Sequence, residues 1–185
     1  PFLPVTIRDQ LSFDEIARIA ANTPNLPGVS VEQGLSRVYP SFESYAHVVG
    51  YVGPVSDNDL KKGDENDPLL KIPRFQVGKV GIEKHYEDIL RGSAGVMKVE
   101  VNALGRVMRN LDRKEGKPGN NIQLTVDTEL QSYIQARLGS ESASAVVMNC
   151  KNGEILAIAS SPSYDPNKFV KGISYSDFNE LRDNE

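Results

Sequence analysis

Ala145-Val146-Val147-Met148-Asn149-Cys150-Lys151-Asn152-Gly153-Glu154-Ile155-Leu156-Ala157-Ile158-Ala159 is the stretch that decides the fold class. Its two apolar runs read as strands, with Cys150 to Gly153 as the hairpin turn between them. Both strands are apolar on both faces, which implies a sheet covered on both sides, in the middle of a layered α/β structure. Just upstream, Ile122, Leu124 and Val126 alternate as a short strand. That strand leads into a helix carrying Leu130, Tyr133, Ile134 and Leu138, which Asp127 is placed to cap. Two such strands and one helix do not complete a layered structure, so this half is expected to be unfinished at Glu185.

Further back, Glu115 to Asn121 holds two glycines and a proline and is the best candidate boundary. We therefore divide the chain at residues 1–118 and 119–185. The first part alternates short helices and strands. Ser12-Phe13-Asp14-Glu15 is a capping box, followed by Ile16, Ile19 and Ala20 at helical spacing until Asn22 and Pro24. Val29, Val31, Leu35 and Val38 favour a strand bent at Gly34. Ser41 to Val49 forms a short helix ended by Gly50. Ser56 to Pro68 is an acidic surface loop with one helical turn. Ile82, Tyr86, Ile89 and Leu90 make a stripe that buries one helix face, closed by Gly92 and Gly95. Met97–Val101 and Val107–Leu111 are strands joined through Asn102-Ala103-Leu104-Gly105.

With 39% hydrophobic residues over 185 positions, the chain has enough apolar content for one or two globular domains. A net charge of −4 argues against nucleic acid as the main partner. The densest basic stretch, Arg106 to Lys117, is broken by Asp112 and Glu115 and reads as a solvated strand surface. Cys150 is the only cysteine, which excludes an intramolecular disulfide and a multi-cysteine metal site. No signal peptide is visible and the apolar runs are far too short to span a bilayer. The first residue is proline, which fits an excised fragment whose membrane anchor lies elsewhere.

The chemistry-bearing motifs are partial. Ser56-Asp57-Asn58 and the triplets Lys151-Asn152-Gly153 and Lys79-Val80-Gly81 resemble the second and third motifs of penicillin-reactive serine enzymes. That chemistry needs a nucleophilic serine three residues before a lysine, one helical turn away, so that the amine assists deprotonation. No lysine here has one. Ser56-Asp57-Asn58 is therefore read as a turn or helix cap, and Lys151-Asn152-Gly153 as a hairpin turn. Arg91-Gly92-Ser93-Ala94-Gly95 lacks the first glycine of a nucleophile elbow and follows a helix. His47 and His85 stand apart without metal-ligand spacing. The acidic cluster Asp57, Asp59, Asp64, Glu65 and Asp67 lacks the calcium-loop pattern. From residue types alone there is no catalytic, cofactor-binding or metal site.

An ordered set of runs nevertheless resembles one family. They are Leu26-Pro27-Gly28-Val29, Ser36-Arg37-Val38-Tyr39-Pro40, Ala46 to Gly53, Val77 to Lys84, Leu90 to Gly95 and Val99 to Arg106. Gln123 to Asp127, Gly153 to Ala157 and Ser160 to Asn167 follow. In this order they are similar to the class B penicillin-binding proteins, of the elongation type called penicillin-binding protein 2. The resemblance implies an α+β pedestal, or dimerisation, domain of mixed short strands and helices, followed by an incomplete transpeptidase α/β segment that stops before the Ser-x-x-Lys motif. Asn149-Cys150 departs from the family's usual Asp-Pro-like pair and is read as a tolerated turn variation. The resemblance implies no cofactor, a parent protein anchored in the bacterial inner membrane and facing the periplasm, and D,D-transpeptidation by that parent. It implies partners of the elongation complex, an MreC-like scaffold and a RodA-like SEDS glycosyltransferase, with a homodimer as a further option. Arg37, Gly78, Gly81, Glu83, Gly92, Gly95, Asn102 and Gly105 are the structural residues of the pedestal motifs. Arg37 and Glu83 either form a charge-assisted hydrogen bond that locks neighbouring segments or are two independent surface charges. The competing function is a self-contained serine acyltransferase or hydrolase, which covalent labelling by a fluorescent penicillin separates from a scaffold.

Overall fold

The structure, a computed structural model, describes residues 5–31, 34–62, 67–72, 74–103 and 107–183. Helix α1 (Phe13–Asn22) starts at Ser12, whose hydroxyl accepts the Glu15 N–H while Glu15 accepts the Ser12 N–H at 2.8 Å. The capping box thus forms as expected. Residues 26–41 then run without any strand among those described. Leu35 and Val38 are solvent-exposed there, so the β-favouring pattern is overridden. A strand needs a partner edge for its backbone groups, and this segment is held by side-chain contacts instead. A 3₁₀ turn (Phe42–Tyr45) passes into α2 (Ala46–Val49), which Gly50 ends with a φ of +80°.

Strand β1 (Val52–Pro54) follows, then α3 (Asp57–Lys62), which supplies the helical turn expected within the acidic stretch 56–68; residues 63–66 of that stretch lie outside the described residues. Ser56 accepts the Asp59 N–H, and Asp59 accepts the Ser56 N–H at 2.8 Å. The Ser56-Asp57-Asn58 triplet is accordingly the start of a capped helix. After β2 (Gln76–Gly78), the single helix expected around Ile82–Leu90 is two short ones, α4 (Gly81–His85) and α5 (Glu87–Arg91), broken at Tyr86. Their apolar stripe is not the buried face. Ile89 is 44% exposed, whereas Glu83 is 4% exposed, because that carboxylate has partners inside the fold.

Strands β3 (Val96–Val101) and β4 (Val107–Lys114) form the expected hairpin, irregular between Lys98 and Val99 and between Glu100 and Val101. Helix α6 (Thr128–Leu138) is capped by Asp127, whose carboxylate accepts the Leu130 N–H at 2.8 Å. No strand forms at 122–126. Thr125 Oγ1 instead donates to the Ile155 carbonyl at 2.7 Å, and the Asp127 N–H to the Leu156 carbonyl at 2.8 Å. Strands β5 (Ala143–Met148) and β6 (Ile155–Ser161) pair antiparallel through a turn in which Asn149 Oδ1 accepts the Lys151 N–H. Helices α7 (Asn167–Lys171) and α8 (Tyr175–Arg182) complete the described chain.

Among the described residues there are three separate two-stranded antiparallel sheets: β1–β2, β3–β4 and β5–β6. The expectation of a sheet covered on both sides does not hold for β5–β6. Ala157 and Ala159 are buried, but Val146, Met148 and Ile158 on the other face are exposed. The core gathers Tyr39, Val52 and Val170, with Val49 against them, and so draws on both parts of the chain.

Candidate functional site: a joint between the two parts

The first part's side of the joint is set where two stretches of its main chain meet. Gly81 adopts a φ of +64°, and a Cβ on it would lie 2.7 Å from the Val48 carbonyl oxygen and 2.8 Å from the Gly50 nitrogen. A Cβ on Gly50 would stand 2.1 Å from the Val80 oxygen. Only glycine combines that backbone angle with that proximity. Gly78 lies equally close to the Glu83 main chain, where an added Cβ would be 2.2 Å from the carbonyl carbon and oxygen. The loop from β2 into α4 is thereby folded tightly on itself, and Glu83 is turned inward.

The Glu83 carboxylate accepts a fork from Arg37, with Nε at 2.8 Å from Oε1 and Nη2 at 2.9 Å from Oε2. Two-point pairing of this kind is among the strongest protein hydrogen-bonding arrangements. The structure therefore brings Arg37 and Glu83 into direct contact, with the Arg37 side chain 40% exposed and that of Glu83 only 5%. Tyr39 Oη adds a third donor at 3.2 Å and itself accepts the Val52 N–H at 3.1 Å. Burial, and then the neighbouring Glu83 charge, push the Tyr39 phenol well above its ordinary range, so it stays protonated and can donate. Around this hub, Glu87 Oε2 accepts the Gly78 N–H at 2.7 Å, and burial raises its carboxyl above the ordinary value despite that bond. Lys79 reaches Asp59 at 2.5 Å. Burial would raise Asp59, but hydrogen bonds from Lys79 and Ser56 outweigh it and hold its pKa down at about 2.

Gly92 and Gly95 have a related task nearby. The Ser93 N–H donates to the Lys117 carbonyl at 2.9 Å and the Ser93 carbonyl accepts the Lys117 N–H at 3.1 Å, so residues 116–120 lie back along 89–95. A Cβ on Gly92 would meet the Lys117 oxygen at 2.3 Å, and one on Gly95 the Gly116 nitrogen at 2.7 Å. Asn102 follows β3 and is exposed. Gly105 lies outside the described residues.

Sequence reasoning gave no role to the groups that bridge the two parts. Asn167 donates from Nδ2 to the Tyr39 carbonyl at 2.9 Å and accepts the Tyr39 N–H on Oδ1 at 3.0 Å. Gln131, fully buried, donates to the Ser44 carbonyl at 2.6 Å and the Ile158 carbonyl at 2.8 Å, while its Oε1 accepts the Ile158 N–H at 2.8 Å. Tyr164 donates to the Ala46 carbonyl at 3.1 Å, Ser163 to the Glu43 carbonyl at 2.7 Å, and Gln76 to the Val170 carbonyl at 2.9 Å. Tyr51 stacks on Phe169 with ring centroids 3.9 Å apart. The available signal was the polar run Ser160 to Asn167, whose side chains satisfy main-chain groups of a distant segment. Beside this seam a cleft of about 510 Å³ opens, walled by Arg37 to Phe42 on one side and Ile122 to Leu124 on the other.

Chemically this is a set of fixed attachments. Among the described residues no group of histidine, cysteine and carboxylate side chains could hold a metal ion.

Comparison with known proteins agrees with a two-part chain. Residues 1–124 match the family model described as the penicillin-binding protein dimerisation domain, and residues 143–184 match the penicillin binding protein transpeptidase domain. The chain is 39% identical over 181 residues to the peptidoglycan D,D-transpeptidase MrdA of Escherichia coli strain K12, covering 97% of this chain and 29% of the relative. It is 35% identical over 164 residues to penicillin-binding protein 3 of Bacillus subtilis strain 168, covering 89% and 24%. Among solved structures, the complex between PBP2 and MreC from Helicobacter pylori is similar with a TM-score of 0.76 at 33% identity, over 92% of this chain and 31% of that one. Pseudomonas aeruginosa PBP2 in complex with WCK 5153 is similar with a TM-score of 0.65 at 36% identity, over 84% and 30%. The chain thus spans under a third of the length of these relatives.

Proposed function

This chain belongs to the penicillin-binding protein dimerisation-domain family, with part of the transpeptidase domain behind it, and we infer that it is the pedestal region of an elongation-type peptidoglycan D,D-transpeptidase. Its task is to hold the catalytic part of the longer protein at a fixed spacing and angle. The longer protein cross-links peptidoglycan stem peptides and reacts with penicillin through residues outside this chain. The observation that carries this reading is the seam itself, in which side chains of residues 131 to 167 satisfy main-chain groups of residues 39 to 46. Such long-range bonds hold orientation, because each needs both segments in register.

The division at residues 118 and 119 belongs to the same proposal, as do the structural roles of Arg37, Gly78, Gly81, Glu83, Gly92, Gly95, Asn102 and Gly105. We place the protein on the periplasmic face of the inner membrane, anchored elsewhere in the longer protein; no described helix is long and apolar enough to cross a membrane. An MreC-like scaffold is the proposed partner that the Helicobacter pylori complex supports. A RodA-like glycosyltransferase and a homodimer rest on the family resemblance.

The test is a chimera in which this chain replaces the matching segment of Escherichia coli MrdA. The expected result is a penicillin-reactive protein that sustains rod-shaped growth. A chimera that folds and labels but leaves cells round overturns the elongation role. Stable labelling of the isolated 185-residue chain by a fluorescent penicillin overturns the scaffold reading in favour of a self-contained acyltransferase.

A further inference from the structure

We propose that Asn167 is the positioning residue that sets the angle between the two parts of the chain, by gripping Tyr39 from both sides. This rests on the pedestal reading above and names the contact through which it operates.

The carboxamide of Asn167 treats Tyr39 as a neighbouring strand would, accepting its N–H at 3.0 Å and donating to its carbonyl at 2.9 Å. A carboxamide is the one neutral side-chain group that carries a donor and an acceptor on the same planar end. Aspartate lacks the donor and leucine lacks both. The group is also aimed before it binds. Asp165 Oδ1 accepts from Asn167 Nδ2 at 2.8 Å and from the Asn167 N–H at 2.9 Å, fixing which end of the amide faces which Tyr39 group. Asn167 is the first residue of α7, and the preceding Pro166 is fully buried, so its backbone is anchored as well.

Tyr39 suits the receiving role. Its phenol is locked into the Glu83 hub and onto the Val52 N–H, and its ring lies in the shared core with Val52 and Val170. A tug on α7 is therefore transmitted through one residue to the Glu83–Arg37 pair. The other bridges, from Gln131 and Tyr164, grip Ser44 and Ala46 and do not reach the hub directly. Beside Tyr39 the cleft of about 510 Å³ leaves room for the parts to pivot when the grip is lost.

The experiment uses the 185-residue chain with nitroxides on the native, exposed Cys150 and on a cysteine placed at Asp112, which lies on β4. The interspin distance distribution is measured by pulsed electron resonance, alongside hydrogen exchange at the Tyr39 amide. The native chain is expected to give one narrow distance. Asn167→Ala should at least double the width and speed Tyr39 exchange about tenfold, the scale of one lost buried hydrogen bond. Asn167→Asp, which keeps the acceptor, should retain most of the Tyr39 protection while still broadening the distribution. Leu138→Ala, a packing loss on α6 away from Tyr39, serves as the control for general loosening and should lower thermal stability without broadening the distance. An unchanged width in Asn167→Ala, or equal broadening in Leu138→Ala, overturns the proposal and leaves the pedestal reading standing. A broad distribution in the native chain overturns both.

Discussion

Residues 5–31 and residues 37–53 make an instructive pair, because both are short on regular structure and only one is firmly placed. The first contains a well-capped helix, yet Val5, Ile7 and Phe13 are each more than 80% exposed. Its tie to the rest of the described chain includes the Arg74–Asp9 ion pair, in which both side chains are more than half exposed. Exposed pairs contribute little, about 0–1 kcal/mol. The second contains one short helix and one short strand, but holds Tyr39, Ala46 and Val52 in the core and receives bonds from Asn167, Gln131, Ser163 and Tyr164. Secondary structure comes from local contacts, whereas placement comes from long-range ones.

The largest effect is expected at Gly78, the β2 partner of Val52 in the firmly placed region. A Cβ there would overlap the Glu83 main chain at 2.2 Å, and no side-chain rotation relieves a backbone clash. Gly78→Ala should destabilise by roughly 3 kcal/mol or more, read as a shift in the urea midpoint. A shift smaller than that of an exposed substitution would mean the β2–α4 loop is loosely packed.

The Glu83 hub gives the next contrast. Arg37→Ala leaves a buried carboxylate without its cation and should cost about 3 kcal/mol. Glu83→Ala leaves a partly exposed guanidinium that water can serve, and should cost less, about 2 kcal/mol. The double variant should cost less than the sum. Equal single effects with full additivity would show the two charges to be independent.

Asp59 offers a pH test. Its carboxyl ordinarily titrates at 3.8 and is held at about 2 in the fold. The stabilisation is therefore fully present above pH 3.8 and fades as pH falls toward 2. Because the group is partly solvated, the loss should be about 1 kcal/mol. Asp59→Asn should remove that part of the acid slope, seen in urea midpoints taken across the window. An unchanged slope would show that the Lys79 contact carries no net stability.

The smallest effect belongs to the loosely held region. Phe13→Ser in α1 should change the urea midpoint by no more than about 0.5 kcal/mol equivalent. A larger loss would show that this helix face is covered in solution.

The same contrast explains what could be read in the sequence. Both hairpins and the caps at Ser12 and Asp127 were legible because their partners lie within a few residues. The family and the α+β class were legible from the order of many short runs. The strands expected at 29–38 and 122–126 failed because a period-2 pattern states a willingness to pair and cannot supply the partner edge. The helix stripe at Ile82–Leu90 misled for a related reason. Hydrophobic periodicity assigns the buried face to apolar residues, and here a carboxylate with an arginine fork took that place. The Asn167 grip spans 128 positions, and Gln131 reaches across 87 to Ser44. No local pattern encodes such reach, and a buried glutamine on a helix looks like any polar residue until its three main-chain partners are seen.

The contact of Gly50 with Gly81 has a mechanical consequence. Two main chains touching without side chains between them leave no compressible layer. A force passing through the first part of the chain, between α2 and α4, would be borne there by peptide planes pressed edge to edge, as in a strut with a metal-on-metal bearing. Under hydrostatic pressure the backbone around these two glycines should shift less than the surrounding side-chain packing, read as smaller pressure-dependent amide shifts.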